Sequence, residues 1–314
     1  VGLSETPEGG SRTSYVAVVN VRTMKMDKLL KQESYFEGGT RSQALHHIQS
    51  FNDFEGNDRV ILQWGFGANG GPHFLLDPND DNRVVKSITY DDVKPMGHPF
   101  VTPDPTGQYL YISMGANWIR GNHSPAAAIA KLDLATGEHE VIEGVGHHPI
   151  GITHTADGKW TYVVDAHGSH VYKIDNEENE VVASASAGVA GPYGIALNWD
   201  ETEIWLVGKG EGSHNRGGVL GMIDATTFRP SRVINQPLTL GGSASSVDHA
   251  ILHPDPAVNE LWVSNMNGWE TIVVDLDTYE PIAYIATPNG GDTHNGAFVS
   301  YDASWNGEVL IDMG

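Results

Sequence analysis

The sequence predicts an all-β protein that is assembled from a repeated four-stranded unit. One pattern recurs at 97–113, 146–165, 191–207 and 248–264. It consists of an apolar run, a turn that contains Asp or Gly, a second apolar run and a charged hairpin. The composition agrees, because 37 glycines and 16 prolines among 314 residues make a turn-rich chain. Repeats of about 40–50 residues are typical of propellers and solenoids. We therefore expect a single β-propeller domain over residues 1–314.

Five complete units are predicted along the chain, each with four strands that we call A to D. They begin near Gln43, Gly97, Gly146, Gly191 and Ser246. Residues 15–21 and 28–35 have the pattern of strands C and D alone, and residues 296–300 and 308–312 that of strands A and B. Joining the two ends predicts a sixth blade, which closes the ring and leaves no exposed sheet edge. A seven-bladed ring is the alternative if residues 40–90 contain a merged repeat.

The charge of the chain excludes several classes of partner. Lys and Arg total 18 against 40 for Asp and Glu, and a net charge of −22 disfavours nucleic acid and anionic lipid. No apolar run approaches the roughly 20 residues of a membrane helix, so we expect a soluble protein without membrane insertion. The chain begins at Val1 with a short polar lead, which favours a periplasmic or extracellular protein whose signal peptide has been removed.

The chain has no cysteine, which excludes disulfides, thiolate zinc sites and iron–sulfur clusters. A metal would therefore be bound by histidine and carboxylate. Twelve of the fifteen histidines fall in links between units or in B-to-C loops, which open on one face of a propeller. The link histidines are His46, His47, His98, His147, His148, His249 and His294.

The spacing of the link histidines favours a metal site at the mouth of a central channel. Steps of 51, 50, 101 and 45 residues separate His47, His98, His148, His249 and His294, which correspond to one or two blades. Strand A lines the channel, so residues at its start converge from different blades. Imidazole without thiolate favours copper, with zinc or another divalent metal as the alternative. The simpler interpretation is a channel lined by hydrogen-bonding histidines.

One loop adds candidate catalytic residues to this metal set. The 209–216 segment is the most polar predicted B-to-C loop, and Lys209, Glu211 and His214 are suited to orient an anion or deliver a proton. A merely solvated loop is the alternative. The sequence lacks a Gly-x-Ser-x-Gly motif, which disfavours a serine hydrolase.

Segments 149–152, 161–164, 171–175 and 192–196 carry a family resemblance. They resemble the YVTN-repeat (surface-layer or lactonase-like) β-propellers, in which Pro-x-Gly-Ile-Ala, a turn, Tyr-Val and Val-x-Val-Ile-Asp follow one another. The resemblance implies a propeller fold and allows a metal-assisted lyase or lactonase.

The doublet His46–His47, followed by single histidines in later links, resembles the multi-histidine copper propellers, such as the nitrous oxide reductase propeller domain and thiocyanate dehydrogenase. That resemblance implies copper ligands at His46, His47, His98, His148, His249 and His294. In the prediction drawn from it, the metal is bound by His47, His98, His148, His249 and His294, and His46 and His147 complete the site or hydrogen-bond the ligands.

Together these features predict an exported copper-dependent oxidoreductase. It would act on a small inorganic or one-carbon substrate and exchange electrons with an external carrier, because the chain encodes no second redox centre. Two alternatives remain open at this point. One is a ligand- or protein-binding propeller that holds no metal and does no chemistry, and the other is the metal-assisted lyase or lactonase.

Overall fold

A computed structural model shows an all-β chain. The structure describes residues 2–5, 13–20, 25–31, 44–65, 72–89, 92–93, 96–114, 127–211, 219–234, 246–266, 268–287, 293–294, 296, 298–301 and 309–312. Within these ranges, no helix is long and apolar enough to cross a membrane.

Three strands form a sheet at the start of the chain, and two blades follow it. The first sheet contains β1 (Gly2–Glu5), β2 (Thr13–Asn20) and β3 (Lys25–Lys31). Blade 1 contains β4 (Ala44–Asn52), β5 (Asp58–Gly65), β6 (His73–Asp77) and β7 (Arg83–Ile88). Blade 2 contains β8 (Met96–Pro103), β9 (Tyr109–Met114), β10 (Ala128–Asp133) and β11 (His139–Glu143).

Three further blades and a strand pair complete the described part of the chain. Blade 3 contains β12 (Pro149–His154), β13 (Trp160–Asp165), β14 (His170–Asp175) and β15 (Glu180–Ser186). Blade 4 contains β16 (Pro192–Leu197), β17 (Glu203–Gly208), β18 (Val219–Asp224) and β19 (Arg229–Ile234). Blade 5 contains β20 (Val247–Leu252), β21 (Glu260–Asn265), β22 (Glu270–Asp275) and β23 (Glu280–Ala286). The last two strands, β24 (Val299–Tyr301) and β25 (Val309–Asp312), pair with each other.

The five complete repeats predicted from the sequence are confirmed, but the predicted sixth blade and the seven-bladed alternative are wrong. The described residues form an all-β propeller with five four-stranded blades. The N-terminal strands do not pair with the C-terminal ones, because β1 occupies the edge of β2 in a register that runs from Gly2↔Val16 to Glu5↔Thr13. The sequence pattern treated residues 2–5 as a polar lead, so it left this edge open for a distant partner.

The chain divides into two compact units. Unit 1 comprises Val1–His123, Leu132–His139 and Phe298–Gly314, and unit 2 comprises Ser124–Lys131 and Glu140–Ala297. Blades 3, 4 and 5 lie in unit 2, where the first strand of each blade contacts the first strand of the next. The single domain expected over 1–314 stays a prediction.

The strands of unit 2 differ in burial according to their place in the blade. The second strands β13 and β17 are buried almost throughout, whereas the fourth strand β15 alternates between exposed and half-buried residues. A strand covered on both faces becomes a continuous apolar run, and a strand with one solvated face alternates. The core between blades 4 and 5 contains Trp205, Leu220, Val247, Val263 and Ile272, all fully buried.

Each first strand in unit 2 carries a β-bulge near its beginning. The register shifts between Pro149 and Ile152 in β12, between Pro192 and Ile195 in β16, and between Val247 and Ala250 in β20. In each case the first strand has one more residue than its partner over the same stretch. A bulge changes the direction of the side chains within it, which is why bulges are frequent next to functional sites.

We expect Trp205→Ala to destabilise the protein by about 3–5 kcal/mol, the usual loss for a buried tryptophan. Trp205 is fully buried between blades 4 and 5, and its indole N–H donates to Glu203 Oε2 at 3.1 Å. Urea unfolding measures the change. The control is Trp269→Ala, because Trp269 is 58% exposed. Equal losses in the two variants would contradict the packing described for blades 4 and 5.

Candidate functional site

A fully buried carboxylate, that of Asp248 in β20, lies at the centre of a polar cluster in unit 2. His294 Nδ1 lies 2.7 Å from Asp248 Oδ2, and Lys209 Nζ lies 2.7 Å from Asp248 Oδ1. His249 Nε2 lies 3.6 Å from the same Oδ2 atom. A carboxylate therefore contacts one ammonium and two imidazoles in a place from which water is largely excluded.

The bulge in β20 explains how two consecutive residues reach one site. In a regular strand, neighbouring side chains point to opposite faces. Asp248 and His249 lie between the paired positions Val247↔Asn265 and Ala250↔Val263, where β20 has its extra residue. Both side chains consequently lie close to His294, whose ring centre is 5.2 Å from that of His249.

Ser264 ties the two histidine segments together. Its Oγ accepts a hydrogen bond from the backbone N–H of His249 at 2.8 Å and donates to the backbone carbonyl of His294 at 3.1 Å. The corresponding position, next to the last in the second strand, is Val164 in blade 3 and Val207 in blade 4. The hydroxyl of Ser264 thus replaces an apolar side chain where the bulge needs a hydrogen-bonding partner.

Thr293 anchors the segment that carries His294. The Thr293 hydroxyl donates to the Glu270 carbonyl at 2.8 Å and accepts from the backbone N–H of Asn265 at 3.2 Å. These contacts hold residues 293–294 against blade 5, so the imidazole of His294 reaches Asp248 from a fixed backbone.

Blade 4 supplies the cation and the aromatic wall of the site. Lys209 directly follows β17, and its Nζ lies 3.6 Å from the centre of the Tyr193 ring and 3.6 Å from Glu211 Oε2. The Tyr193 ring centre is 5.1 Å from that of His249. Gly191, with a φ of +52°, lets this segment approach, because a Cβ there would lie 2.2 Å from the Glu211 nitrogen.

The protonation states follow from burial and from the neighbouring charges. Burial favours the neutral form of Asp248, but His249, His294 and Lys209 outweigh it and hold the pKa of this carboxyl well below its usual range. Burial lowers the pKa of His249 to about 3. At neutral pH the site therefore contains an ionised carboxylate and a neutral His249 imidazole.

This arrangement has the donor atoms of a metal centre. One ligand atom from each of Asp248, His249 and His294 lies within 4.8 Å of the others. An ionised carboxylate and a neutral imidazole are the forms in which these side chains bind metals. The set contains two nitrogen donors and one oxygen donor.

The structure brings together four of the residues predicted from the sequence, and it adds three that were missed. The four are His249, His294, Lys209 and Glu211. The three are Asp248, Tyr193 and Ser264. A signal for Asp248 existed, since a carboxylate interrupts the run Val-Asp-His-Ala-Ile-Leu at 247–252 directly before a link histidine.

Of the other predicted site residues, some belong to blade 3 or to unit 1, and the rest lie outside the described residues. His148 directly precedes β12 of blade 3, its Nδ1 is 3.0 Å from His167 Nε2, and the exposed His147 precedes it in the chain. His46 and His47 lie in unit 1 with ring centres 4.0 Å apart. The side chain of His98 and all of His214 lie outside the described residues. Metal binding by all of these residues stays a prediction.

Comparisons with known proteins support the fold. No family model and no curated protein matches the chain. Hydrazine synthase from Kuenenia stuttgartiensis is similar with a TM-score of 0.58 and 18% identity, over 83% of this chain and 73% of that chain. Dihydro-heme d1 dehydrogenase NirN, in complex with DHE, is similar with a TM-score of 0.54 and 11% identity, over 91% of this chain. The match spans 54% of the NirN chain, about half its length.

At these identities the two likenesses show the propeller fold and nothing finer. They confirm neither the YVTN repeat nor the resemblance to copper propellers.

We expect His249→Gln to reduce the loss of stability on acidification. The pKa of His249 in the folded protein, about 3, lies below the ordinary value of 6.5. As the pH falls below 6.5, the unfolded chain therefore binds a proton that the folded protein does not, and the free energy of unfolding falls by up to about 1.4 kcal/mol per pH unit. Glutamine does not titrate, so the variant lacks this contribution.

Urea unfolding between pH 6.5 and 4.5, with a chelator present, measures the difference. Buried His73, whose pKa is likewise lowered to about 3 by burial, contributes equally in both proteins. His170→Gln is the matched control, because His170 is exposed. Parallel pH profiles for the wild type and His249→Gln would show that His249 is not buried in its neutral form.

Proposed function

We propose that this propeller is a metal-dependent oxidoreductase whose metal is bound by Asp248, His249 and His294. The observation that carries the proposal is the convergence of these three side chains, with ligand atoms within 4.8 Å of one another around a buried carboxylate. Buried ionisable clusters with shifted pKa values are more frequent at functional sites than elsewhere.

The donor set widens the choice of metal beyond copper. Two imidazoles and one carboxylate are the ligands of many non-haem iron(II) sites, and the same groups also suit zinc and copper(II). The sequence favoured copper because it pointed to histidines alone. Asp248 adds a hard oxygen donor, so iron(II) and zinc become as suitable as copper on chemical grounds.

The remaining polar residues would serve a small substrate beside the metal. Lys209 balances the charge of Asp248, and its ammonium lies 3.6 Å from Glu211 Oε2. An ammonium and a carboxylate side by side can donate and accept a proton. Tyr193 forms an aromatic wall against His249 and keeps the cluster compact. A bound redox metal would supply the electron transfer, and an external carrier would complete the cycle.

One structural neighbour, NirN, is a dihydro-heme d1 dehydrogenase, and this activity agrees with an oxidoreductase. A metal-assisted lyase or lactonase is the second candidate. It is favoured by the 2.7 Å contact between His294 and Asp248, an imidazole–carboxylate pair suited to acid–base chemistry without electron transfer.

We expect the site formed by Asp248, His249 and His294 to bind about one equivalent of metal after separate reconstitution with iron(II), copper(II) or zinc, as a three-ligand site requires. His249→Ala and Asp248→Asn should weaken this binding by more than about tenfold, since even outer-shell substitutions have effects of that size. Elemental analysis and metal titration measure both quantities. His253→Ala is the control, because His253 lies just beyond the opposite end of β20.

The outcomes separate the candidate functions. Binding of iron or copper with a reversible spectral change on reduction supports the oxidoreductase. Binding of zinc alone favours the lyase or lactonase. Metal content far below one equivalent with all three ions would overturn the proposal and favour a propeller that only binds a ligand or protein.

A further inference from the structure

We propose that His148 and His167 form a second metal site in blade 3, which binds one copper(II) ion. The ring atoms His148 Nδ1 and His167 Nε2 lie 3.0 Å apart, and the two ring planes meet at 82°. Among the described residues, neither histidine belongs to the group formed by Asp248, His249 and His294. The proposal therefore does not depend on the function proposed for that group.

The separation of the two nitrogens indicates the geometry of the ion. Metal–imidazole bonds are about 2.0–2.1 Å long. With the nitrogens 3.0 Å apart, the angle at a shared ion is roughly 95°. Such an angle is close to that between neighbouring ligands in the square-planar or tetragonal sites of copper(II), which also binds nitrogen donors more tightly than the other divalent ions of its row. Tetrahedral zinc would require about 3.3 Å between the nitrogens.

One buried carboxylate fixes the backbone of both histidines. Asp165 Oδ1 accepts the backbone N–H of His148 at 2.9 Å and that of His167 at 3.1 Å. Asp165 is 1% exposed. Its side chain fits only because residues 146 and 168 are glycines, since a Cβ added to Gly146 or Gly168 would lie 2.1 Å from Asp165 Oδ2. Outer groups that orient metal-binding histidines raise metal affinity by holding the ligands in place.

The burial of the pair leaves one side from which an ion can enter. His148 is 1% exposed, whereas His167 is half-buried at the turn between β13 and β14. An ion would therefore bind on the His167 side and complete its coordination with water. The simpler interpretation is a hydrogen bond in which one ring donates to the other. For both nitrogens to bind a metal, the donating ring must carry its proton on its other nitrogen instead, and both rings stay neutral. Protonation of either ring competes with the metal, so copper affinity should fall at acidic pH.

The experiment is a copper(II) titration of the wild type and of His167→Ala, with a weak chelator such as glycine as competitor. We expect His167→Ala to lose one equivalent of copper, with at least a hundredfold weaker binding at that site. Electron paramagnetic resonance of the wild type should show coupling to two imidazole nitrogens at this ion. His170→Ala is the matched control, because His170 begins β14 directly after the same turn and its ring is hydrogen-bonded to the Gly168 carbonyl.

Two further variants make the result decisive. His167→Gln removes the imidazole but keeps a polar group opposite His148, and it replaces His167→Ala if that variant does not fold. His249→Ala removes only the site proposed in the preceding subsection. If His167→Ala and His167→Gln both bind copper with unchanged stoichiometry and affinity, the pair is only a hydrogen bond and the second site is overturned. If only His249→Ala loses copper, the first site stands and the second falls.

Discussion

The polar cluster of unit 2 depends on a buried negative charge. A carboxylate without compensation in a protein interior costs several kcal/mol, and only close partners with good geometry offset that cost. Asp248 has two such partners, Lys209 and His294, each at 2.7 Å. Three separate segments, around residues 209, 248 and 294, are therefore held to one group. If any one of these segments moved away, the carboxylate of Asp248 would lose a partner in an apolar environment. The three segments are therefore expected to take up their positions together.

The carboxylate of Asp248 lies in a β-bulge, and such a bulge occurs at the start of each first strand in unit 2. By register, Ile150, Tyr193 and Asp248 occupy one position in blades 3, 4 and 5. The next position is glycine in blades 3 and 4, where a Cβ at Gly151 would lie 2.2 Å from the carbonyl oxygen of Tyr193 in the neighbouring strand. In blade 5, the last blade of unit 2, this second position is occupied by His249 instead of glycine. The same backbone feature thus carries packing residues in one blade and the polar cluster of Asp248 and His249 in another.

The sequence predicted the five complete blades because each has its own turns and alternating strands. It failed at the chain ends, since a repeat pattern identifies strands but not their partners, and the short β1 had no apolar pattern. The histidines show the same limit. His148 and His249 have blade spacing, yet His148 directly precedes β12 whereas His249 is the third residue of β20. An offset of this kind depends on the strand register, and the two residues therefore lie in different clusters.

The two clusters also differ in the group that accepts the backbone N–H of the histidine. In blade 3, Asp165 at the end of the second strand accepts the N–H of His148, and the imidazoles of His148 and His167 contact each other. In blade 5, Asn265 stands at that position and the neutral hydroxyl of Ser264 accepts the N–H of His249. The carboxylate of Asp248 is thereby left for Lys209 and His294. A pair of imidazole nitrogens favours copper, whereas a set containing a carboxylate also suits harder divalent ions. The two blades therefore share a bulged first strand, but different residues at several positions around it give each blade its own set of polar groups.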